Sequence, residues 1–171
     1  MQTIVSDLQR FLPKLKILDV WTDHEKMIKH PKGFDKFKQE VIGKKILKVG
    51  RIGKNILIHL FSNKTLLIHQ KMTGHMMYGE WQKKDPPASG WKAIKSGPLR
   101  DDPQNRFIHL IFNLSNSKQL ALSDMRKFAK VLIWPTDKLD ELEDIKDLGP
   151  DPFDKNFTLE RFSEIIRARR G

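Results

Sequence analysis

Three short segments hold the residue types that could do chemistry, and each falls where strand-like sequence breaks into a turn. Gly50-Arg51-Ile52-Gly53-Lys54 sets two glycines beside a lysine, giving close backbone approach and a point charge for a phosphate or a proton transfer. The same residues also read as a plain basic turn with an exposed lysine. Gln70-Lys71-Met72-Thr73-Gly74 places a methionine at a strand-to-turn junction, either as core filler or as something odder. Ser123-Asp124-Met125-Arg126-Lys127-Phe128 puts Arg and Phe in one turn. They could enter a base stack and hydrogen-bond the base left behind; alternatively Phe128 is buried and Arg126 pairs with Asp124. No Walker loop, dinucleotide fingerprint, nucleophile elbow or paired-carboxylate constellation accompanies them.

The elements around these turns follow from periodicity. Ile4, Val5, Leu8, Phe11 and Leu12 share one helical face over residues 3–12, and Pro13 stops the helix. Residues 24–40 read as polar and lysine-rich, with Pro31 to Gly33 as punctuation. Short β-branched and apolar runs at 46–49, 55–61, 65–69 and 76–78 predict strands. Within 55–61, Ile56, Ile58 and Leu60 fall on one face. Residues 79–105 contain Pro86, Pro87, Pro98 and Pro103 and predict an exposed loop. Strands resume at 106–114, where Ile108, Leu110, Phe112 and Leu114 share a face, and continue at 119–122 and 131–134. Leu139, Leu142 and Ile145, three apart, predict a short acidic helix closed by Leu148-Gly149-Pro150. Thr158 caps a final helix whose Leu159, Phe162, Ile165 and Ile166 are expected to face inward. The fold class is α+β: a two-sheet antiparallel β-sandwich flanked by helices.

Composition narrows the function classes. Hydrophobic residues make up 39%, enough for a core, and no apolar run reaches the ~20 residues of a membrane span. There is no cysteine, and the six histidines are scattered, so no metal is expected in this chain. The net charge is +11 and uneven: residues 137–151 carry seven acids against two lysines, leaving 30 basic and 14 acidic residues elsewhere. Such an excess suits a polyanion-binding surface.

Taken in order, Gly50-Arg51-Ile52-Gly53-Lys54-Asn55-Ile56-Leu57, Ile68-His69-Gln70-Lys71-Met72-Thr73-Gly74, Ser123-Asp124-Met125-Arg126-Lys127-Phe128 and Leu148-Gly149-Pro150-Asp151-Pro152 resemble the formamidopyrimidine-DNA glycosylase family. The likeness runs from Thr3 to the last residue. It implies the same sandwich, and excision of oxidised purines (8-oxoguanine, formamidopyrimidines) followed by strand cleavage at the abasic site. The implied partner is double-stranded DNA containing oxidised bases or abasic sites, met by a monomer in the bacterial cytoplasm, associated with the nucleoid through DNA and with no membrane. Such an enzyme must extrude a nucleotide and fill the vacated space. By resemblance Met72 and Phe128 are the apolar wedges, and Arg126 hydrogen-bonds the orphaned base. Lys54 matches the lysine that lies near the abasic phosphates and moves protons during β-elimination. Arg51, Lys71 and Lys127 join as DNA contacts, Asn105 and Arg106 lie near a DNA-contacting position of the family, and Arg169 and Arg170 meet phosphates.

Two departures stand against the resemblance. The family opens Pro-Glu-Leu-Pro-Glu-Val-Glu-Thr; the proline amine attacks the sugar C1′ to give a Schiff base, and the adjacent glutamate is the acid/base. An N-terminal amine with a pKa of about 8 keeps a nucleophilic fraction at cellular pH. Here the sequence reads Met1-Gln2-Thr3, so the expectation is a truncated chain that is inactive alone. The family's helix–two-turn–helix domain and zinc finger are expected outside it, with no cofactor here and one zinc ion in the finger of full-length members. Residues 1–152 form the expected sandwich domain, and 153–171 the start of a helical linker. A smaller departure is Ala129, where the family usually has glycine. A non-catalytic damaged-DNA-binding remnant of the same fold is the alternative. The endonuclease VIII branch is disfavoured by the Met72-Thr73-Gly74 and Arg126-Lys127-Phe128 blocks. A generic single-strand binder would want several exposed aromatics on one sheet face.

Overall fold

A computed structural model describes residues 1–84, 90–154 and 156–168. Two sheets stack face to face. One has the order β1 (Ile17–Thr22), β9 (Ile108–Leu114), β10 (Gln119–Asp124), β6 (Gly74–Gly79). The other runs β2 (Ile28–His30), β11 (Lys130–Pro135), β5 (Lys64–His69), β4 (Asn55–Leu60), β3 (Ile46–Ile52). Their pairings are antiparallel except the short β2, which lies parallel to β11. The predicted α+β sandwich is therefore the observed one. Between the sheets, Leu110, Phe112, Leu120 and Leu122 meet Ile56, Ile58, Leu66, Ile68 and Val131, all buried. Each such side chain contributes about 1.5–3 kcal/mol by leaving water.

Helices close the two open sides. α1 (Gln2–Phe11) buries Val5 and Leu8, with Leu12 just beyond, and packs on β3. Its Phe11 stacks on Tyr78 of β6 at 5.3 Å, so α1 bridges one edge strand of each sheet. α2 (Phe34–Val41) does the same on the opposite side, touching β1, β2 and β11, with Phe37 6.4 Å from Phe112. This helix corrects the purely polar reading of residues 24–40. Phe34, Phe37 and Val41 share one helical face, and the polar residues between them, Asp35, Lys36, Lys38, Gln39 and Glu40, mask it in the sequence.

Both sheets also carry an apolar outer face. Leu57, Leu67 and Leu132 are covered by Leu139, Leu142 and Ile145, from a 3-10 turn (Thr136–Glu141) and α3 (Glu143–Lys146). The acidic stretch is thus a lid on the five-stranded sheet. On the four-stranded sheet, Met77, Ile111 and Ala121 are covered by Trp81, Trp91 and Ala93. These come from a hairpin, β7 (Trp81–Lys83) and β8 (Trp91–Ala93), in register Trp81 to Ala93 and Lys83 to Trp91. The hairpin corrects the exposed-loop reading of 79–105: the tryptophans bury what the prolines made look irregular. Pro86 and Pro87 lie outside the described residues.

Two further expectations change. Leu122 sits opposite Leu110 but Ser123 sits opposite Ile108, so His109 is an extra residue in β9. That bulge turns Ile108 to the outer face, away from Leu110, Phe112 and Leu114. The last helix, α4 (Leu159–Ala168), has its cap, with the Arg161 N–H donating to Thr158 Oγ1 at 3.3 Å. Its apolar face is not inward: Leu159 is 75% exposed, Phe162 47%, and no residue of α4 is buried. No helix among the described residues is long and apolar enough to cross a membrane.

Candidate nucleic-acid interface

Strand register brings the three sequence-selected turns to one end of the sandwich. Asn55 lies opposite His69, and His69 opposite Lys130, so the β3–β4, β5–β6 and β10–β11 turns emerge together. The last two differ from ordinary hairpins, because each carries the chain from one sheet to the other.

Asp124 ties these two crossing turns to each other. Its side chain is fully buried; Oδ1 accepts from the Thr73 hydroxyl and from the Arg126 N–H at 3.3 Å. Oδ2 accepts from the Ala129 N–H at 2.7 Å. A carboxylate with three donors satisfies its charge inside the protein. Gly74 completes the first turn, because a Cβ there would collide with the Gln70 carbonyl. Lys71 (φ 57°) and Lys127 (φ 56°) both hold the left-handed conformation, which non-glycine residues reach at a cost of about 1–2 kcal/mol.

The choices left open by the sequence are now decided. Met72 is 81% exposed and Phe128 56%, so neither is core. Arg126 makes no ion pair among the described residues. Its guanidinium lies 4.5 Å from the Phe128 ring centroid, and its Nη1 lies 3.5 Å from Met72 Sδ. Met72, Arg126 and Phe128 therefore form one exposed ladder on two tethered turns. Lys54 is exposed on the third turn, after Gly53 (φ 57°).

The remaining sequence-selected residues divide. Lys71, Lys127 and Arg106 are exposed. Arg51 is committed inside the protein: it pairs with Asp151 at 2.7 Å, donates to Gln2 Oε1 at 2.6 Å and covers the Phe153 ring at 5.0 Å. Asp151 is held below the usual carboxylate range by the Phe153 N–H and then by Arg51. Asn105 is buried, accepting from the Trp81 indole at 2.7 Å and donating to the Leu99 carbonyl at 2.7 Å. Both were expected to touch the partner, and both instead have their polar atoms spent on scaffold contacts. Arg169 and Arg170 lie outside the described residues.

One candidate escaped the sequence reading. His69 stands immediately before the Met72 turn, and its Nδ1 accepts from the Lys71 N–H at 3.0 Å, which leaves Nε2 as a free donor. Burial, and next the Lys71 charge, push its pKa below the ordinary 6.5, so the ring stays neutral. Its position beside the turn was the available signal, lost among six scattered histidines. Two buried atoms at the same end, Asn55 Oδ1 and Gln70 Nε2, have no protein partner among the described residues. Among the described residues no cluster of three His, Asp or Glu could hold a metal, and the chain has no cysteine, so its residues do not fit a zinc finger.

Comparison with known proteins returns one family throughout. The sequence model described as "Formamidopyrimidine-DNA glycosylase N-terminal domain" matches residues 1–131. Formamidopyrimidine-DNA glycosylase of Pelotomaculum thermopropionicum is 41% identical over 170 residues, covering 99% of this chain and 54% of that protein. The Desulforamulus reducens protein of the same name is 32% identical over the same span, with the same coverage. The chain spans about half the length of the curated relatives it matches. Among solved structures, Lactococcus lactis Fpg in complex with DNA containing FAPY-dG superposes with a TM-score of 0.74 at 23% identity, over 97% of this chain and 54% of that one. The same enzyme with abasic-site DNA gives the same score. At that identity the superposition speaks for the fold.

Proposed function

The chain belongs to the formamidopyrimidine-DNA glycosylase family through its N-terminal domain, and on that premise we propose that it serves a base-excision glycosylase and abasic-site lyase for oxidised purines. The single observation that carries this reading is the exposed Met72–Arg126–Phe128 ladder on two turns tied by Asp124. When the damaged nucleotide leaves the stack, Met72 and Phe128 fill the gap, and the Arg126 guanidinium offers planar donors to the unpaired base. Extrusion costs a few kcal/mol, least at a damaged or already unpaired site, which favours lesions over intact pairs. Lys54 stands beside this wedge end as a flexible ammonium, suited to a phosphate near the abasic sugar and to proton transfer there. Lys71, Lys127 and Arg106 add phosphate contacts, while Arg51 and Asn105 hold the scaffold.

The attacking secondary amine and its acid/base glutamate are assigned by resemblance to a Pro-Glu opening, which these 171 residues do not contain. The complete activity, the duplex partner, the monomeric state, the bacterial cytoplasm and the boundary at residue 152 all belong to this proposal. Borohydride trapping on a duplex with an abasic site tests it. The expected result is a covalent adduct with a protein carrying the Pro-Glu opening and none with the 171-residue chain alone. A strong adduct with this chain alone would show that another amine attacks and would replace this account. Lesion binding without any adduct in the longer protein would make it a non-catalytic damage binder of the same fold.

A further inference from the structure

The hairpin that replaces the expected loop builds a second basic site. Where β7 and β8 meet the 3-10 turn Pro103–Phe107, a pocket of about 330 Å³ is lined by Lys84, Lys92, Arg100 and Arg106, with Trp91 as one wall. None of these four cations makes an ion pair among the described residues. Of the two acids in the lining, Asp102 accepts the Gln104 N–H at 2.8 Å and caps the turn, and Asp101 is exposed. The cations therefore outnumber the carboxylates two to one, on a frame fixed by the buried Trp81–Asn105 hydrogen bond.

The pocket is held beside the wedge. The Ser123 hydroxyl donates to the Gln104 carbonyl at 2.7 Å, and Ser123 immediately precedes Asp124. Ile108, two positions after Arg106, is the strand partner of Ser123. Because β9 and β10 are antiparallel, Arg106 and Arg126 both lie beyond the same end of their ladder.

We propose that this pocket takes a backbone phosphodiester of the duplex to one side of the extruded nucleotide, lengthening the footprint on that side of the lesion. The inference rests on the DNA reading above and extends its Arg106 contact to Lys84, Lys92 and Arg100. Neutralising one phosphodiester would release about one condensed counterion from the DNA.

The test uses the 171-residue chain and its Lys92→Gln/Arg100→Gln variant, both sites being exposed, with Lys32→Gln/Lys36→Gln on α2 as a charge-matched control. Three abasic-site duplexes are compared: one with long arms, and two with one arm or the other cut back to the lesion. On the long duplex the pocket variant should lose on the order of tenfold in affinity at low salt, with a salt slope shallower by about 1. It should lose as much on one shortened duplex and nothing on the other. Equal losses on both shortened duplexes, or an equal loss in the control pair, would reduce the effect to net charge and overturn the proposal. So would inorganic phosphate that saturates the pocket without competing with DNA, which would mark a free-anion site. Equal binding to undamaged DNA, with the arm-dependent loss retained, would sink the glycosylase reading and keep this one. No binding to any duplex overturns both.

Discussion

The two ends of this sandwich are built by different rules. At the far end, the turns after β4 and β9 are hairpins within one sheet, and their positive-φ residues are Ser62, Asn63 and Ser117. Short polar side chains tolerate that conformation and bond the neighbouring backbone, as Asn116 Oδ1 does to the Lys118 N–H at 3.3 Å. Phe61, Leu18 and Leu47 are exposed near that end, and Lys14 (φ 75°) beside Ile46 is its left-handed lysine. At the wedge end the turns cross between sheets, the strained positions are lysines, and Met72, Met125 and Phe128 stand in solvent. A chain selected for stability alone would not combine left-handed lysines, exposed large apolar groups and orphaned buried amides at one end. All three departures meet only at the end that carries Met72, Arg126 and Phe128 among the described residues.

The largest test of that contrast is Asp124→Ala. It strands the Thr73 hydroxyl and the Ala129 N–H, and should cost about 3 kcal/mol in denaturant unfolding while uncoupling the two crossing turns. A loss below 1 kcal/mol would show that the turns need no tie. Next in size, Met72→Ala and Arg126→Ala should each weaken abasic-duplex binding on the order of tenfold and move stability by less than about 0.5 kcal/mol. That loss should persist at high salt, whereas a loss from Lys54→Gln should fade as ionic strength rises. Unchanged affinity in both wedge variants would remove their role. Smaller again, Lys127→Gly should leave stability within about 1 kcal/mol of the parent and still weaken DNA binding, while Asn63→Gly at the far end should leave both unchanged.

The gentlest probe is pH. His24, His59 and His69 all have folded-state pKa values below 6.5, each with burial as the leading cause. The unfolded chain therefore takes up protons first as pH falls through 6.5, so unfolding free energy should decline from that point downward. A flat profile between pH 7 and about 5 would contradict the burial of these rings.

What could be read in advance follows the range of the interactions. α1 was legible because Ile4, Val5, Leu8 and Leu12 repeat at a local period. α2 was not, because Asp35, Lys36, Lys38, Gln39 and Glu40 fill the positions between Phe34, Phe37 and Val41. Ile108 was placed on the wrong face because a bulge at His109 is decided by pairing with β10, not by its own segment. The β7–β8 hairpin was hidden because Trp81 and Trp91 matter only once an apolar sheet face needs cover. At the site, odd residue types at turns drew attention to Met72, Arg126 and Phe128 while leaving a buried reading of Met72 and Phe128 open, and their proposed roles come from the family resemblance. The tie between Thr73 and Asp124 spans 51 positions and leaves no local mark.

The opposite outer covers of the sandwich have one more consequence. The lid on the five-stranded sheet carries Asp137, Asp140, Glu141, Glu143 and Asp144, and the hairpin side of the other sheet carries Lys83, Lys92, Lys95, Arg100 and Arg106. Charge of opposite sign on opposite faces makes the domain an electric dipole. Near a polyanion such a body feels a torque as well as an attraction, and it turns before it touches. Encounters would then begin with the hairpin side leading and the acidic lid trailing, so that fewer collisions are spent on the wrong face.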